Sequence, residues 1–95
     1  KNSFNKAIEI DPENIAFYSD RAQIYLIEEE YQKAIDDYNK VIQLEPNDLR
    51  GLIDRGIAYF QMKEYNKAYR DFVQCEEMVN RYNKYRKQIL QIRNK

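Results

Sequence analysis

Apolar and aromatic residues recur at three- and four-residue steps along most of the chain, which is the spacing of one face of a helix. One stripe consists of Ile15, Tyr18, Ala22 and Tyr25, and the next consists of Tyr31, Ala34, Tyr38, Val41 and Ile42. Pro46 should end the helix that carries the second stripe, because proline lacks an N–H and crowds the preceding turn. Asn47 and Asp48 then offer caps for another helix. The pattern predicts helices joined by short turns.

The same sequence of an acidic residue, a proline and a polar pair before an apolar stretch returns after 34 residues. The first copy, "EIDPENIAFY", begins at residue 9, and the second, "QLEPNDLRGL", begins at residue 43. Further identities at this offset are Tyr25/Tyr59, Tyr31/Tyr65, Ala34/Ala68, Lys33/Lys67, Asp37/Asp71 and the pair Asp20-Arg21/Asp54-Arg55. Self-similarity at a fixed period is typical of repeat architecture. We predict four segments: the second helix of a truncated repeat plus a linker (1–14), two helix–turn–helix repeats (15–48 and 49–80) and an amphipathic basic capping helix (81–95).

The repeated pattern resembles the tetratricopeptide repeat family over residues 1–82. The residues that match the family's motif are Tyr18, Ala22, Tyr25, Ala34, Tyr38 and Pro46 in one unit, and Leu52, Gly56, Tyr59, Ala68 and Phe72 in the next. The resemblance implies an all-α fold, an α-solenoid of helix pairs in a right-handed superhelix. The sequence departs from the family pattern in three places. Asn80 stands where proline usually closes the unit, and Glu29 and Lys63 stand where the turn often has glycine. Arg21 and Arg55 replace leucine.

The resemblance also implies a concave groove, lined by the first helix of each unit, that binds a peptide segment of a partner. Transferred position by position, the partner-binding residues are Ala16, Ser19, Asp20, Gln23, Leu26, Ile27, Arg50, Ile53, Asp54, Ile57, Phe60 and Gln61. Family members that grip the acidic tails of heat-shock chaperones use Lys and Asn on this face, whereas this chain has Ser19, Gln23 and Asp54. Asp20 and Asp54 on an apolar background favour a basic or amphipathic partner. In the alternative interpretation, both aspartates only cap or pair along the helix.

Arg21 and Arg55 lie on the stripe that should face other helices. The structural interpretation pairs each guanidinium with the recurring Asp37 or Asp71 in a bidentate contact. The functional interpretation makes the two arginines ligand contacts. We favour the structural interpretation, because buried charges persist mainly when they are paired.

The formal net charge of zero conceals an uneven distribution. Residues 1–80 contain 10 Lys and Arg against 16 Asp and Glu, whereas residues 81–95 contain six basic residues and no acidic one. In this tail Tyr82, Tyr85, Ile89 and Ile92 follow one another at steps of three, four and three. We rank a capping helix first, docking of the tail into the acidic groove of a second copy next, and nucleic-acid contact last.

The composition argues against an enzyme and predicts no cofactor and no metal site. Histidine is absent, and Gly51 and Gly56, the two glycines, both lie within a helical pattern instead of a phosphate loop. Cys75 falls in phase with Ala7 and Val41, as a small buried hydrophobe would. A single cysteine fits a reducing compartment, so the cytoplasm is the expected location. No stretch is long enough to predict a membrane span.

We therefore expect a non-catalytic adaptor that binds a protein or peptide. The alternative is a structural stretch of a longer repeat array, or a self-association interface without its own ligand, and a third hypothesis is a regulatory module of an enzyme. The chain begins with Lys1, so we expect a piece of a longer protein. Apolar residues uncovered by such a cut, including Phe4 and Ile8, would then favour dimers.

Overall fold

The computed structural model describes residues 2–93, which form a series of five α-helices. These are α1 (Asn2–Ile10), α2 (Ile15–Ile27), α3 (Tyr31–Leu44), α4 (Leu49–Gln61) and α5 (Tyr65–Arg93). Each helix packs against the next one in the chain. The all-α repeat fold is confirmed. Lys1, Asn94 and Lys95, which belong to the predicted first and last segments, lie outside the described residues. Across the described range, no helix is both long and apolar enough to cross a bilayer.

Side-chain caps and a proline mark the helix ends, and of the two predicted caps before α4, Asp48 is the one that caps the helix. The side chain of Asn14 caps α2 by accepting the Ala16 N–H at 3.0 Å, and that of Asp48 caps α4 by accepting the Gly51 N–H at 2.9 Å. Helix α3 ends at Leu44, two residues before Pro46. Local chemistry therefore sets these boundaries.

The turns inside the two repeats use a left-handed residue that is not glycine. Glu29 has φ 62° and Lys63 has φ 64°. After each of them a backbone N–H returns to the helix that has just ended: Glu30 donates to the Tyr25 carbonyl at 2.8 Å, and Glu64 donates to the Tyr59 carbonyl at 2.9 Å. This is the Schellman ending, in which glycine is usual because a side chain strains the left-handed backbone.

Replacing Lys63 by glycine should therefore stabilise the fold. We expect Lys63→Gly to raise the free energy of unfolding by about 0.5–1 kcal/mol, because removing the left-handed strain outweighs the added chain entropy. Urea unfolding followed by circular dichroism measures the change. The control is Met62→Gly, one residue earlier at φ −83°, which should destabilise. A loss of stability in Lys63→Gly would contradict the strain argument.

The core is built around small residues where paired helices approach closely. Ala22 and Ala34 are fully buried, and both belong to the same core cluster as the buried Tyr38. In the second repeat a Cβ on Gly56 would lie only 2.7 Å from the Phe72 ring. The paired helices therefore approach closely at these positions. Ile35, Val41 and Leu52 are the largest fully buried aliphatic side chains.

Arg21 joins three consecutive helices. Its Nε and Nη2 donate to the two carboxylate oxygens of Asp37 at 2.8 and 2.6 Å, and its Nη1 donates to Asn5 Oδ1 at 2.8 Å. The hydrogen bonds to Asp37 raise the pKa of Arg21. The guanidinium carbon also lies 5.9 Å from the ring centroids of Tyr18 and Tyr25, within cation–π range. We call this arrangement an arginine bridge.

The second repeat builds the same arginine bridge. Arg55 Nε and Nη2 donate to Asp71 at 2.9 and 2.6 Å, and Nη1 donates to Asn39 at 2.9 Å. Asp37 and Asp71 are almost completely buried, so the structural interpretation of the two arginines is confirmed by their geometry. The third partner, an asparagine on the preceding helix, was not predicted.

Removing one member of an arginine bridge should be costly. Arg55→Leu leaves the Asp71 carboxylate buried without its cation, so we expect a loss of about 3 kcal/mol in the free energy of unfolding. The double variant Arg55→Leu/Asp71→Leu should return to within about 1 kcal/mol of the parent, because an apolar pair can replace a buried ion pair. Arg70→Leu, at an exposed position of α5, is the control and should change stability by less than about 0.5 kcal/mol. Urea unfolding measures these changes. Similar losses of stability in Arg55→Leu and Arg70→Leu would refute the stabilising role of the arginine bridge.

The predicted boundary between residues 80 and 81 is wrong, because α5 continues without a break from Tyr65 to Arg93. No proline or glycine interrupts this stretch, and Asn80 permits the helix to pass. Residues 81–93 are all exposed. The predicted separate capping helix is thus an extension of the second repeat's own helix.

Candidate functional site

A cleft of about 210 Å³ lies where α2 and α4, the first helices of the two repeats, face one another. We call it the α2/α4 cleft. Six of the twelve predicted groove residues line it, namely Ala16, Ser19, Asp20, Gln23, Arg50 and Asp54. Three more lining residues, Tyr38, Asp48 and Gly51, were not predicted. The cleft therefore brings together four of the predicted residues of α2 and two of those of α4.

One carboxylate oxygen, Asp54 Oδ2, is the shared hydrogen-bond acceptor on the floor of this cleft. Asp54 Oδ2 accepts a hydrogen bond from Gln23 Nε2 at 2.6 Å and from the Tyr38 hydroxyl at 3.4 Å, and Arg50 Nε lies 3.7 Å away. Gln23 Nε2 also lies 3.2 Å from the Tyr38 hydroxyl. Three helices are therefore tied together at Asp54, and its side chain is held in place before any ligand arrives.

The surroundings of Tyr38 in this network change the pKa of its side chain. Burial raises the pKa of its phenol, and the negative charge of Asp54 raises it further. Its hydroxyl is protonated at neutral pH and donates toward Asp54. Sequence reasoning placed Tyr38 in the core, which is correct for its ring, but the helical stripe gave no signal that the hydroxyl would emerge in the cleft.

The carboxylates of the cleft differ in how far they are engaged. Asp48 caps α4 through the Gly51 N–H, and Asp54 is bonded to Gln23 and Tyr38. Asp20 is exposed and has no hydrogen bond or ion pair to another residue of the described chain. Arg50 is the cation in the lining. The cleft is therefore acidic overall, with Asp20 as the carboxylate open to a ligand.

The other six predicted groove residues lie outside the lining of the cleft. Leu26 is half-buried against the core cluster. The remaining five, Ile27, Ile53, Ile57, Phe60 and Gln61, are exposed along α2 and α4. Phe60 packs its ring edge-on against Tyr65 with centroids 5.3 Å apart. The role of all twelve residues in binding a partner stays a prediction.

Residues 2–93 contain no cluster of three or more side chains that could hold a metal ion. Cys75 is buried, and its Sγ lies 4.0 Å from the Leu49 carbonyl oxygen. Burial, followed by the charge of Asp71, raises the pKa of the Cys75 thiol. The thiol is thus a poor nucleophile at neutral pH, as expected for a packing residue.

The polar network predicts a measurable role for one hydroxyl. Tyr38→Phe should lower the free energy of unfolding by about 1 kcal/mol, because Asp54 and Gln23 lose a buried partner. Urea unfolding followed by circular dichroism measures the loss. Tyr69→Phe, at a position 70% exposed, is the control and should change stability by less than about 0.5 kcal/mol. An equal loss in the two variants would contradict the role assigned to the Tyr38 hydroxyl.

Comparison with known proteins gives a consistent result. Family models described as tetratricopeptide repeat match residues 22–94 and residues 3–36. No curated protein is significantly similar in sequence. The crystal structure of MamA superposes with a TM-score of 0.83 at 25% identity, covering 88% of this chain and 49% of MamA. The chain thus spans about half the length of that protein.

Two further solved structures are similar. One is the second TPR of Spaghetti (RPAP3) bound to the HSP90 peptide SRMEEVD, with a TM-score of 0.75 and 25% identity over 79% of this chain and 69% of that one. The other is the N-terminal domain of stress-induced protein-1 from C. elegans, with a TM-score of 0.71 and 21% identity over 85% and 74%, which supports the fold alone. This chain belongs to the tetratricopeptide repeat family, whose members are generally non-catalytic protein-interaction modules.

Proposed function

We propose that this chain binds a segment of a partner protein in the α2/α4 cleft, and that the segment is basic or amphipathic. The observation that carries the proposal is the negative charge of the cleft. Its lining contains three carboxylates, those of Asp20, Asp48 and Asp54, and a single arginine, Arg50. A lysine or arginine of the partner would meet Asp20 without first breaking an existing contact. Complementary charge of this kind supplies specificity and speeds encounter.

The second feature that supports the proposal is the rigidity of the floor. Asp54 is fixed by Gln23 and Tyr38, so little side-chain freedom is lost when a ligand binds there. Beyond the cleft, the exposed side chains of Ile53, Ile57 and Phe60 continue along α4. An amphipathic segment could place its cation in the cleft and its apolar residues on this strip.

The RPAP3 domain is bound to an acidic HSP90 peptide. The positions at which related domains use Lys and Asn are Ser19, Gln23 and Asp54 here, and the Gln23 amide is already donated to Asp54. An acidic peptide would therefore meet carboxylates in place of cations. This difference supports a partner of opposite charge.

The test is a fluorescence-anisotropy titration with labelled basic, acidic and apolar peptide pools of equal length. We expect basic peptides to bind, with an affinity that falls as salt increases. Asp20→Lys should weaken that binding about three- to tenfold. Glu76→Lys makes the same charge change at an exposed position of α5 and should alter binding less than twofold.

Three results would count against the proposal. Tighter binding of the acidic pool would contradict the charge preference. Equal losses in Asp20→Lys and Glu76→Lys would reduce the effect to net charge. No binding by any pool, together with a concentration-dependent mass of two chains in light scattering, would favour the structural or self-association alternative.

A further inference from the structure

The core-facing stripe of α5 continues beyond the end of α4. It follows a strict seven-residue pattern, with Ala68, Cys75, Tyr82 and Ile89 at one position and Asp71, Met78, Tyr85 and Ile92 three residues later. The first half is covered, since Cys75 lies beside Leu49, where α4 begins. The second half, which we call the tail seam (Tyr82, Tyr85, Ile89, Ile92), is between 56% and 71% exposed.

The shape of the tail seam favours another helix as its occupant. Two apolar positions in every seven form the narrow seam of a coiled coil, whereas helices that lie on a membrane have a broad apolar face. Leu90 adds apolar area beside the seam, and polar side chains occupy the rest of residues 81–93. The same stripe already packs against a helix in its first half, so a second helix would extend an existing mode of packing.

Charge decides which helix would fit. The positions that flank the seam carry Arg81, Arg86 and Arg93 together with Gln88, and residues 81–93 contain no acidic side chain. Two such tails side by side would oppose Arg81 to Arg86 if parallel, or Arg86 to Arg93 if antiparallel. Like charges at flanking positions disfavour this pairing. A helix with Glu or Asp at its flanks would instead form ion pairs along the seam.

The surface beside the seam combines both requirements. A hollow of about 260 Å³ is lined by Tyr82, Tyr85, Arg86, Ile89, Leu90 and Arg93. Its walls are apolar, and two guanidinium groups border it. Such a hollow suits an apolar side chain whose helical neighbours, three or four residues away, are carboxylates.

We propose that the extension of α5 beyond Met78 is a second docking surface, which binds an acidic amphipathic helix of a partner protein. The partner's apolar residues lie on the tail seam, and its carboxylates pair with Arg81, Arg86 and Arg93. This surface requires a ligand of opposite charge to that of the α2/α4 cleft. The proposal is therefore independent of the function proposed for the cleft.

Two designed helical peptides test the proposal. They share apolar residues in the seven-residue pattern, and they differ in carrying Glu or Lys at the flanking positions. In anisotropy titrations with the full chain, we expect the Glu peptide to bind at least about tenfold more tightly than the Lys peptide, and its affinity to fall with added salt. Tyr82→Ser/Ile89→Ser should weaken the Glu peptide at least about tenfold.

A pair of charge variants separates the seam from general attraction to a basic tail. Arg86→Glu/Arg93→Glu alters the flanks, whereas Lys84→Glu/Lys87→Glu makes the same charge change elsewhere on the helix. We expect the first variant to reverse the preference toward the Lys peptide and the second to change affinity less than threefold. Circular dichroism verifies that each variant retains the helical fold.

Equal losses in the two charge variants would overturn the proposal, as would equal affinity for the two peptides. Binding to phosphatidylserine vesicles or to duplex RNA without binding to the Glu peptide would assign the tail to a membrane or a nucleic acid instead. A mass of two chains in light scattering that Tyr82→Ser/Ile89→Ser reduces to one would show that a second copy occupies the seam, which would also overturn it.

Discussion

The two arginine bridges are the contacts on which the arrangement of the helices depends. Each guanidinium uses its planar fork to hold a buried carboxylate on the next helix and an asparagine on the previous one. Helix α3 supplies Asp37 to one bridge and Asn39 to the other. It is therefore fixed between α2 and α4, and this is what allows Tyr38 to reach the cleft. The bridges thus hold in place the helices that form the α2/α4 cleft.

Much of this arrangement could be predicted from a 34-residue period and elementary packing rules. The pairing of Arg21 with Asp37 followed from the recurrence of both residues on stripes that had to face one another. The part played by Asn5 did not, because nothing in one repeat shows which side of the arginine the preceding helix occupies. A signal was nonetheless present, since Asn5 recurs as Asn39 at the same offset.

Equivalent positions in the repeat are not equivalent in burial. Tyr38 is 1% exposed and Phe72 is 38% exposed, and the same contrast separates Ile35 at 1% from Tyr69 at 70%. The cause is the neighbour: α4 covers α3, whereas no helix within residues 2–93 covers the corresponding face of α5. Sequence periodicity predicts which residues face a neighbour, but it cannot tell whether that neighbour is there.

The continuity of α5 determines how the two oppositely charged halves of the chain can interact. At about 1.5 Å per residue, its 29 residues extend about 43 Å as one rigid rod. The basic residues beyond Met78 are therefore held on one continuous helix, and they cannot fold back onto the cleft between α2 and α4 of the same molecule. Each surface consequently keeps its own charge, which leaves the cleft open to a cation and the tail seam open to carboxylates at the same time.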